Sequence, residues 1–425
     1  MYSIAAEAGP SPGTAHMILA QAFSRFAFDL DGVIWRGQRP VDGSIETVRA
    51  LAQAGKRLCY VTNNSSEPAE AVAARLAQMG APSDPSLVLT SADAVAKTIQ
   101  ERVSGARGRL ACVLGGPGLR EAAERVGMRV ASEAEAHLAS IVLVGLDKEF
   151  TYDRLRAATL AIRSGAVLIA SNADPTYPVE DVSWPGAGAI LAAVVAATGA
   201  TPIVAGKPHP GLFGLAERVL GGAPALAIGD RVETDVAAAH AAGWAAALVL
   251  TGAASLATLA TADDWPDFLL RRPSDLLLDL PHGQLRPATG GDLANIASLL
   301  HRAKLRSGGA RERLGRTVIV EAERDRPIAT AAIDTFSDIG ILRSVASSDG
   351  LSGQGAGTLA VAGAMRLGAR AGARRIFVSS ATAGGFFERL GFAEIDRRDL
   401  PDAMLDAPGI ERDWATAPIY TVALA

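Results

Sequence analysis

Residues 26–35, Phe-Ala-Phe-Asp-Leu-Asp-Gly-Val-Ile-Trp, limit what this chain can be more than any other stretch. Phe26, Phe28 and Leu30 alternate with smaller residues in a short apolar run, the pattern of a buried strand. The run ends in Asp29 and Asp31, followed by Gly32. Residues i and i+2 of a strand point to one face. Both carboxylates should therefore leave the C-terminal end of the strand together, at the edge where open α/β sheets hold their ligands. Paired oxygen ligands suit Mg²⁺, and one acid can attack phosphorus while the other handles a proton. Alone, an Asp-x-Asp at a strand end reads first as a surface acid pair, so its partners downstream decide.

Residues 41–54 have helical spacing and stop at Gly55. Arg57-Leu-Cys-Tyr-Val61 then reads as a second buried strand and runs into Thr62-Asn63-Asn64-Ser65-Ser66. A hydroxyl and amides there can hold a phosphate oxygen, although Ser and Asn also cap helices before a Glu-Pro step. Residues 85–180 repeat a strand and helix rhythm of their own, an α/β unit inserted into the first. It ends in a polar loop, Asn172–Pro178, and a Pro185-Gly-Ala-Gly188 turn opens the apolar helix 189–197. The first unit resumes with Ile203-Val-Ala-Gly-Lys-Pro-His-Pro210. Lys207 there is either a compact charge for a phosphate or a solvated surface lysine. Ala225–Gly229 is a further buried strand, ending in Asp230, with Thr234-Asp235 beyond. Asp230 suits a metal ligand and Asp235 a group that orients it; acids at a helix N-terminus are the alternative.

In this order, Asp-x-Asp-Gly-Val, Thr-Asn-Asn, Gly-Lys-Pro-x-Pro and Gly-Asp-x-x-x-Thr-Asp resemble the haloacid dehalogenase superfamily. The insertion and Pro185–Gly188 are similar to its NagD-like branch, which carries a large α/β cap and includes phosphoglycolate, glycerol-phosphate and pyridoxal-phosphate phosphatases. The likeness spans about residues 24–280. It implies an α/β fold with a Rossmann-like core, residues 22–84 and 181–275, and an inserted cap of C2 type, residues 85–180. It also implies that Asp29 is the nucleophile that forms an aspartyl-phosphate and that Asp31 is the general acid, then the base. Thr62 and Lys207 would hold the phosphoryl group. Mg²⁺ would bind Asp29, the Asp31 carbonyl and Asp230, with Asp235 in support. Asn63, Asn64, Asn172 and Asp174 are the expected substrate contacts. The expected substrate is a small phosphorylated metabolite, of the glycerol 3-phosphate or phosphoglycolate class.

Residues 276–284 read as a linker, and a second protein starts near Leu285. A strand and turn lead into a helix with Leu293, Ile296, Leu299 and Leu300 on one face. Three strand candidates follow, over 317–322, 327–335 and 339–345. Next come the glycine-rich Ser352-Gly-Gln-Gly-Ala-Gly357, a helix from Thr358 to about Ala371, a strand at Arg375–Ser379, and Ala383-Gly-Gly-Phe-Phe-Glu-Arg-Leu-Gly-Phe392. This set resembles the GNAT acetyltransferases over residues 285–405, and residues 285–425 are taken as a GNAT-like α/β domain. The resemblance implies acetyl-CoA held at Val345, Gly353, Gly355 and Gly357. The family's loop usually begins with Arg or Gln, and Ser352 stands there instead. Each charged hydrogen bond to phosphate contributes roughly 1.5–3 kcal/mol, so the loss predicts weakened acetyl-CoA binding on a retained fold. The domain would then be either an N-acetyltransferase acting on an amine or an acyl-CoA-sensing module without catalysis.

The composition narrows the alternatives. A formal net charge of −4 gives no electrostatic case for nucleic acid. Cys59 and Cys112, the two cysteines, sit in apolar runs and cannot make a zinc or disulfide framework. No stretch is apolar for long enough to span a membrane. The first ~20 residues have no Lys or Arg to supply the basic n-region of a signal peptide and read as a loose extension. A reducing cytoplasm is the expected setting, and apolar helix faces on both domains are compatible with a homo-oligomer.

Overall fold

Arg25–Phe28 is a strand, with Phe26, Ala27 and Phe28 buried. The computed structural model describes residues 17–179, 182–280, 282–323, 326–351, 353–405, 414 and 416–424, and places this strand inside a parallel sheet. Arg57–Thr62 pairs with it on one side and Leu226–Gly229 on the other. Val88–Thr90 lies beyond the first, and Ala245–Val249 beyond the second. The strands read as nearly continuous apolar runs because helices cover both faces of such a sheet. Helices Ser44–Gln53, Ala69–Gln78 and Gly211–Leu220 bury Val48, Leu51, Leu76, Leu212 and Phe213. Because the strands share one direction, Asp29, Thr62 and Asp230 all emerge at the same edge.

The insertion has its own parallel sheet, in the order Ile203–Val204, Val167–Ala170, Ile141–Val144, Leu110–Leu114 and Arg129–Val130. Its limits fall later than the expected 85–180. Val88–Thr90 pairs in the first sheet, while Leu191 and Val194 of helix Ala187–Thr198 join the insertion's core. The runs of both sheets look alike in sequence, and only pairing assigns them. A second correction concerns Asn172–Pro178 and Pro185. Thr176–Val179 and Val182–Pro185 form an antiparallel hairpin. Proline signals a loop, but in a two-stranded ribbon both strands are edges, where a missing N–H is tolerated.

These sheets make one compact unit, Phe23–Gly252 with Arg272–Ser274. Ala253–Arg271 and Asp275–Ala425 belong to a second unit, together with the short helix Leu19–Ala22. Helix Leu256–Thr261 packs on helix Ala356–Arg370 of the second unit.

The second unit holds a seven-stranded sheet in the order Gln284–Pro287, Thr317–Glu323, Arg326–Phe336, Ile339–Ser347, Arg375–Ser379, Ile419–Ala423 and Ala393–Ile395. Its neighbours are antiparallel except Ile339–Ser347 and Arg375–Ser379, which run parallel. That parallel register covers only Ile339–Ile341 against Arg375–Phe377. The N-terminal extension over residues 1–16 and Ser352 lie outside the described residues. Among the described residues no helix is long and apolar enough to cross a membrane. Cys59 and Cys112 are buried and unbridged. Burial pushes both thiols up, Cys112 to about 11.

Candidate active site

The chain leaves its first strand through a tight turn. Val33, Ile34 and Trp35 all donate their amides to the Leu30 carbonyl, and Gly32 donates to the Trp35 carbonyl at 2.7 Å. Gly32 has a φ of 84°, and a Cβ there would lie 2.3 Å from Asp230 Oδ2. Glycine is thus required twice at this position, for conformation and for space. The turn sets Asp29 and Asp31 in the wall of a cleft of about 420 Å³.

Thr62, 2% exposed, ends the adjacent strand, and its Oγ1 accepts the Asn64 amide at 3.0 Å. Asn63 braces three segments. Its Nδ2 donates to Asp174 Oδ2 at 3.0 Å and to the Lys207 carbonyl at 3.1 Å, while its Oδ1 accepts the Lys207 amide at 2.8 Å. Asn172 donates to the Asn63 carbonyl at 2.7 Å and accepts the Asp174 amide at 3.1 Å. Asn64 Oδ1 accepts from the Ser66 amide and hydroxyl. All four expected substrate contacts line the cleft. The amides of Asn63 and Asn172 are spent in holding the inserted loop and the lysine loop against the first sheet.

Lys207 is 3% exposed. Its Nζ donates to Asp29 Oδ1 at 2.5 Å, Asp235 Oδ1 at 2.6 Å and the Val61 carbonyl at 3.1 Å. Burial disfavours this ammonium, but Asp235 and Asp29 outweigh it and hold its pKa above the ordinary lysine value. A wide turn of π type, Val232–Val236, brings Asp235 back under Asp230. Asp235 Oδ2 accepts the Asp230 amide at 3.1 Å and the Arg231 amide at 3.0 Å. Burial pushes the Asp29 carboxyl up, Lys207 opposes this, and Asp235, Asp230 and Asp31 add to the rise. Asp31 is also raised by burial, against a hydrogen bond from Trp35.

Asp29, Asp230 and Asp235 present oxygens within 4.8 Å of one another. These buried carboxylates outnumber the one buried ammonium, and an oxygen-only donor set of this charge fits a hard divalent cation. Asp235 has committed both oxygens, to Lys207 and to two amides. A Cβ on Gly252 would lie 1.9 Å from Asp230 Oδ2, so the carboxylate of Asp230 is fitted closely between Gly32 and Gly252.

Trp35 and Arg75 escaped sequence reasoning. Trp35 Nε1 donates to Asp31 Oδ1 at 3.0 Å, and the Arg75 guanidinium lies 4.1 Å from the centre of the Trp35 ring. Trp35 was visible only as the last apolar residue of the strand motif, and Arg75 as one charge on a helix. Tyr177 and Trp184 of the hairpin also line the cleft, edge to face at 6.4 Å.

In the second unit, Val345 lies in strand Ile339–Ser347, past the part paired with Arg375–Ser379. Gly353 and Gly355 have φ of 77° and 95°, and Gly355 precedes helix Ala356–Arg370, whose first turn contains Gly357.

A buried lysine between two aspartates, with a metal-fitting cluster at the C-terminal edge of a parallel sheet, is suited to phosphoryl transfer. The comparisons with known proteins agree. Residues 26–129 match the family model "haloacid dehalogenase-like hydrolase" and residues 204–276 match "HAD-hydrolase-like". Chronophin of Mus musculus is 39% identical over 238 residues, which are 54% of this chain and 81% of that one. The D-glycerol 3-phosphate phosphatase of Mycobacterium tuberculosis is 37% identical over 236 residues, 55% of this chain and 65% of that one. The crystal structure of a glycerol phosphate phosphatase from the same organism, in complex with magnesium, superposes with a TM-score of 0.64 at 28% identity. It covers 88% of this chain and 98% of that one. This chain belongs to the haloacid dehalogenase-like hydrolases, in their NagD-like branch, and is a phosphoric monoester hydrolase.

Proposed function

We propose that this protein hydrolyses a small phosphate monoester of the glycerol 3-phosphate or phosphoglycolate class, with Mg²⁺, through an aspartyl-phosphate on Asp29. The observation that carries the reading is the position of Asp29. Its Oδ1 lies 2.5 Å from Lys207 Nζ and beside Asp230 at the head of the cleft. Asp29, the Asp31 carbonyl and Asp230 would hold the cation, which supplies charge neutralisation for the transferring group. Lys207 shares that task and keeps the Asp29 carboxylate fixed for in-line attack. The Thr62 hydroxyl, with Lys207, holds the phosphoryl oxygens. Asp31 donates a proton to the departing alcohol and then takes one from the water that cleaves the acyl-phosphate. A cleft of about 420 Å³, walled by Asn64, Asp174, Tyr177 and Trp184, suits a small polar ester, and the glycerol phosphate phosphatases among the relatives support that class. The test is brief reaction with a radiolabelled ester and an acid quench. Label should remain on the protein and be released by hydroxylamine, and Asp29→Asn should carry none. Turnover without a labelled wild-type intermediate would contradict the reading.

A second reading concerns Asp275–Ala425. We propose a GNAT-like domain there, with Val345, Gly353, Gly355 and Gly357 at its acetyl-CoA site. Support comes from the strand order, the central parallel pair whose register ends after three residues, and Ser344, which has a φ of 55° beyond that pairing. The backbone thus opens between two strands in front of a glycine-led helix, where amides can meet a pyrophosphate. Calorimetry with acetyl-CoA, and thiol release with a panel of amines, separate a transferase from an acyl-CoA-sensing module.

A further inference from the structure

The indole N–H of Trp35 can only donate, so Asp31 Oδ1, 3.0 Å away, must accept. When Asp31 is in its acid form, this contact favours the proton on the other oxygen, because the carbonyl oxygen is the stronger acceptor. Trp35 is 3% exposed and tied into the turn at both ends. Its amide donates to the Leu30 carbonyl at 3.0 Å, and its carbonyl accepts from Gly32. Arg75, on helix Ala69–Gln78, lies over the indole ring at 4.1 Å and also donates to the Gly37 carbonyl in the hairpin that Trp35 begins. The residue is thus held through its backbone in the turn and through its ring by a guanidinium. That is a costly arrangement to maintain for one hydrogen bond to a half-buried acid, unless the direction of that acid matters.

We propose that Trp35, clamped by Arg75, is a positioning residue that selects which oxygen of Asp31 carries the proton and points it at the leaving alcohol. The proposal rests on the reading of Asp31 as general acid. Its consequence depends on the leaving group. An alkoxide needs the proton as the P–O bond breaks, whereas nitrophenolate leaves readily without it. An aspartyl-phosphate enzyme reports this in kcat/KM, which covers only the steps up to release of the alcohol.

The experiment compares kcat/KM for glycerol 3-phosphate and p-nitrophenyl phosphate in the wild type and in Trp35→Phe, Trp35→His, Arg75→Met and Asp31→Asn. Trp35→Phe keeps the ring and loses the donor. It should lower the alkyl-ester value roughly tenfold or more beyond its effect on the nitrophenyl ester, a part of the 10²–10⁴ that general acid catalysis supplies. Trp35→His, which restores an N–H, should recover part of that difference. Arg75 is only half-buried, so Arg75→Met tests the clamp even where a Trp35 variant fails to fold, and it should shift the ratio the same way. Equal losses on both esters in Trp35→Phe and Arg75→Met would overturn the proposal. If Asp31→Asn shifts the ratio and these variants do not, the general acid stands and Trp35 has no part in it. If Asp31→Asn also leaves the ratio unchanged, the reading of Asp31 itself falls.

Discussion

Asn63, at the end of a strand in the first sheet, donates a 3.0 Å hydrogen bond to Asp174 in the inserted unit. The same side chain holds Lys207 through the lysine's amide and carbonyl, so one residue ties the inserted loop to the lysine loop. A hydrogen bond of this kind is worth about 1 kcal/mol net. Asp174→Ala should therefore raise KM for the preferred ester roughly fivefold and change kcat less, as steady-state kinetics would show.

Lys207 is the one buried cation between Asp29 and Asp235. Removing one partner of a buried ionic cluster costs roughly 3–5 kcal/mol, because the remaining charges stay unpaired in a poorly solvated site. Lys207→Met should lower the melting temperature of the Phe23–Gly252 unit and abolish phosphate release. Asp29→Asn keeps a hydrogen-bond acceptor for Lys207 and removes one of the crowded carboxylates. It should be inactive yet melt within a few degrees of the wild type.

Gly252 leaves room for Asp230. A methyl group there must displace the carboxylate or the backbone. Changes around a metal's ligands typically cost 10–100-fold in affinity. Gly252→Ala should raise the Mg²⁺ concentration for half-maximal activity by roughly tenfold, with saturating metal restoring part of the rate.

In the second unit, Arg286 holds Asp292 at 2.8 Å and Glu321 at 3.0 Å. The hydrogen bond from Arg286 is the main cause that holds the Asp292 carboxyl at about 2. A lowered folded-state pKa adds stability above the unfolded value, near 4, and loses it as pH falls through the folded value. Thermal melts of wild type and Arg286→Met should differ by a constant amount above about pH 4.5. The difference should shrink between pH 4 and pH 2.

The four strand-end motifs were legible because their chemistry forces position. Acids, a hydroxyl and a lysine that follow apolar runs in parallel strands can only gather at one edge. Asp235 could be read as a supporting group because a strand and a short turn separate it from Asp230. Trp35 and Arg75 could not be read, since their meeting depends on a helix and a hairpin that are distant in sequence. Asn63 and Asn172 looked like substrate contacts because an amide at a site edge has the same residue type whether it faces a ligand or a neighbouring loop. The limits of the insertion were misplaced for a similar reason. Val88–Thr90 and Ile203–Val204 are both short and largely apolar, and the sheet each joins is decided by pairing across the fold.

The most direct test is phosphate release from phosphoglycolate, glycerol 3-phosphate, pyridoxal phosphate and p-nitrophenyl phosphate, measured with Mg²⁺ and with EDTA in wild type and Asp29→Asn. The account predicts turnover that requires Mg²⁺, favours glycerol 3-phosphate or phosphoglycolate, and is lost in Asp29→Asn. Turnover that persists in EDTA, or in Asp29→Asn, would contradict it.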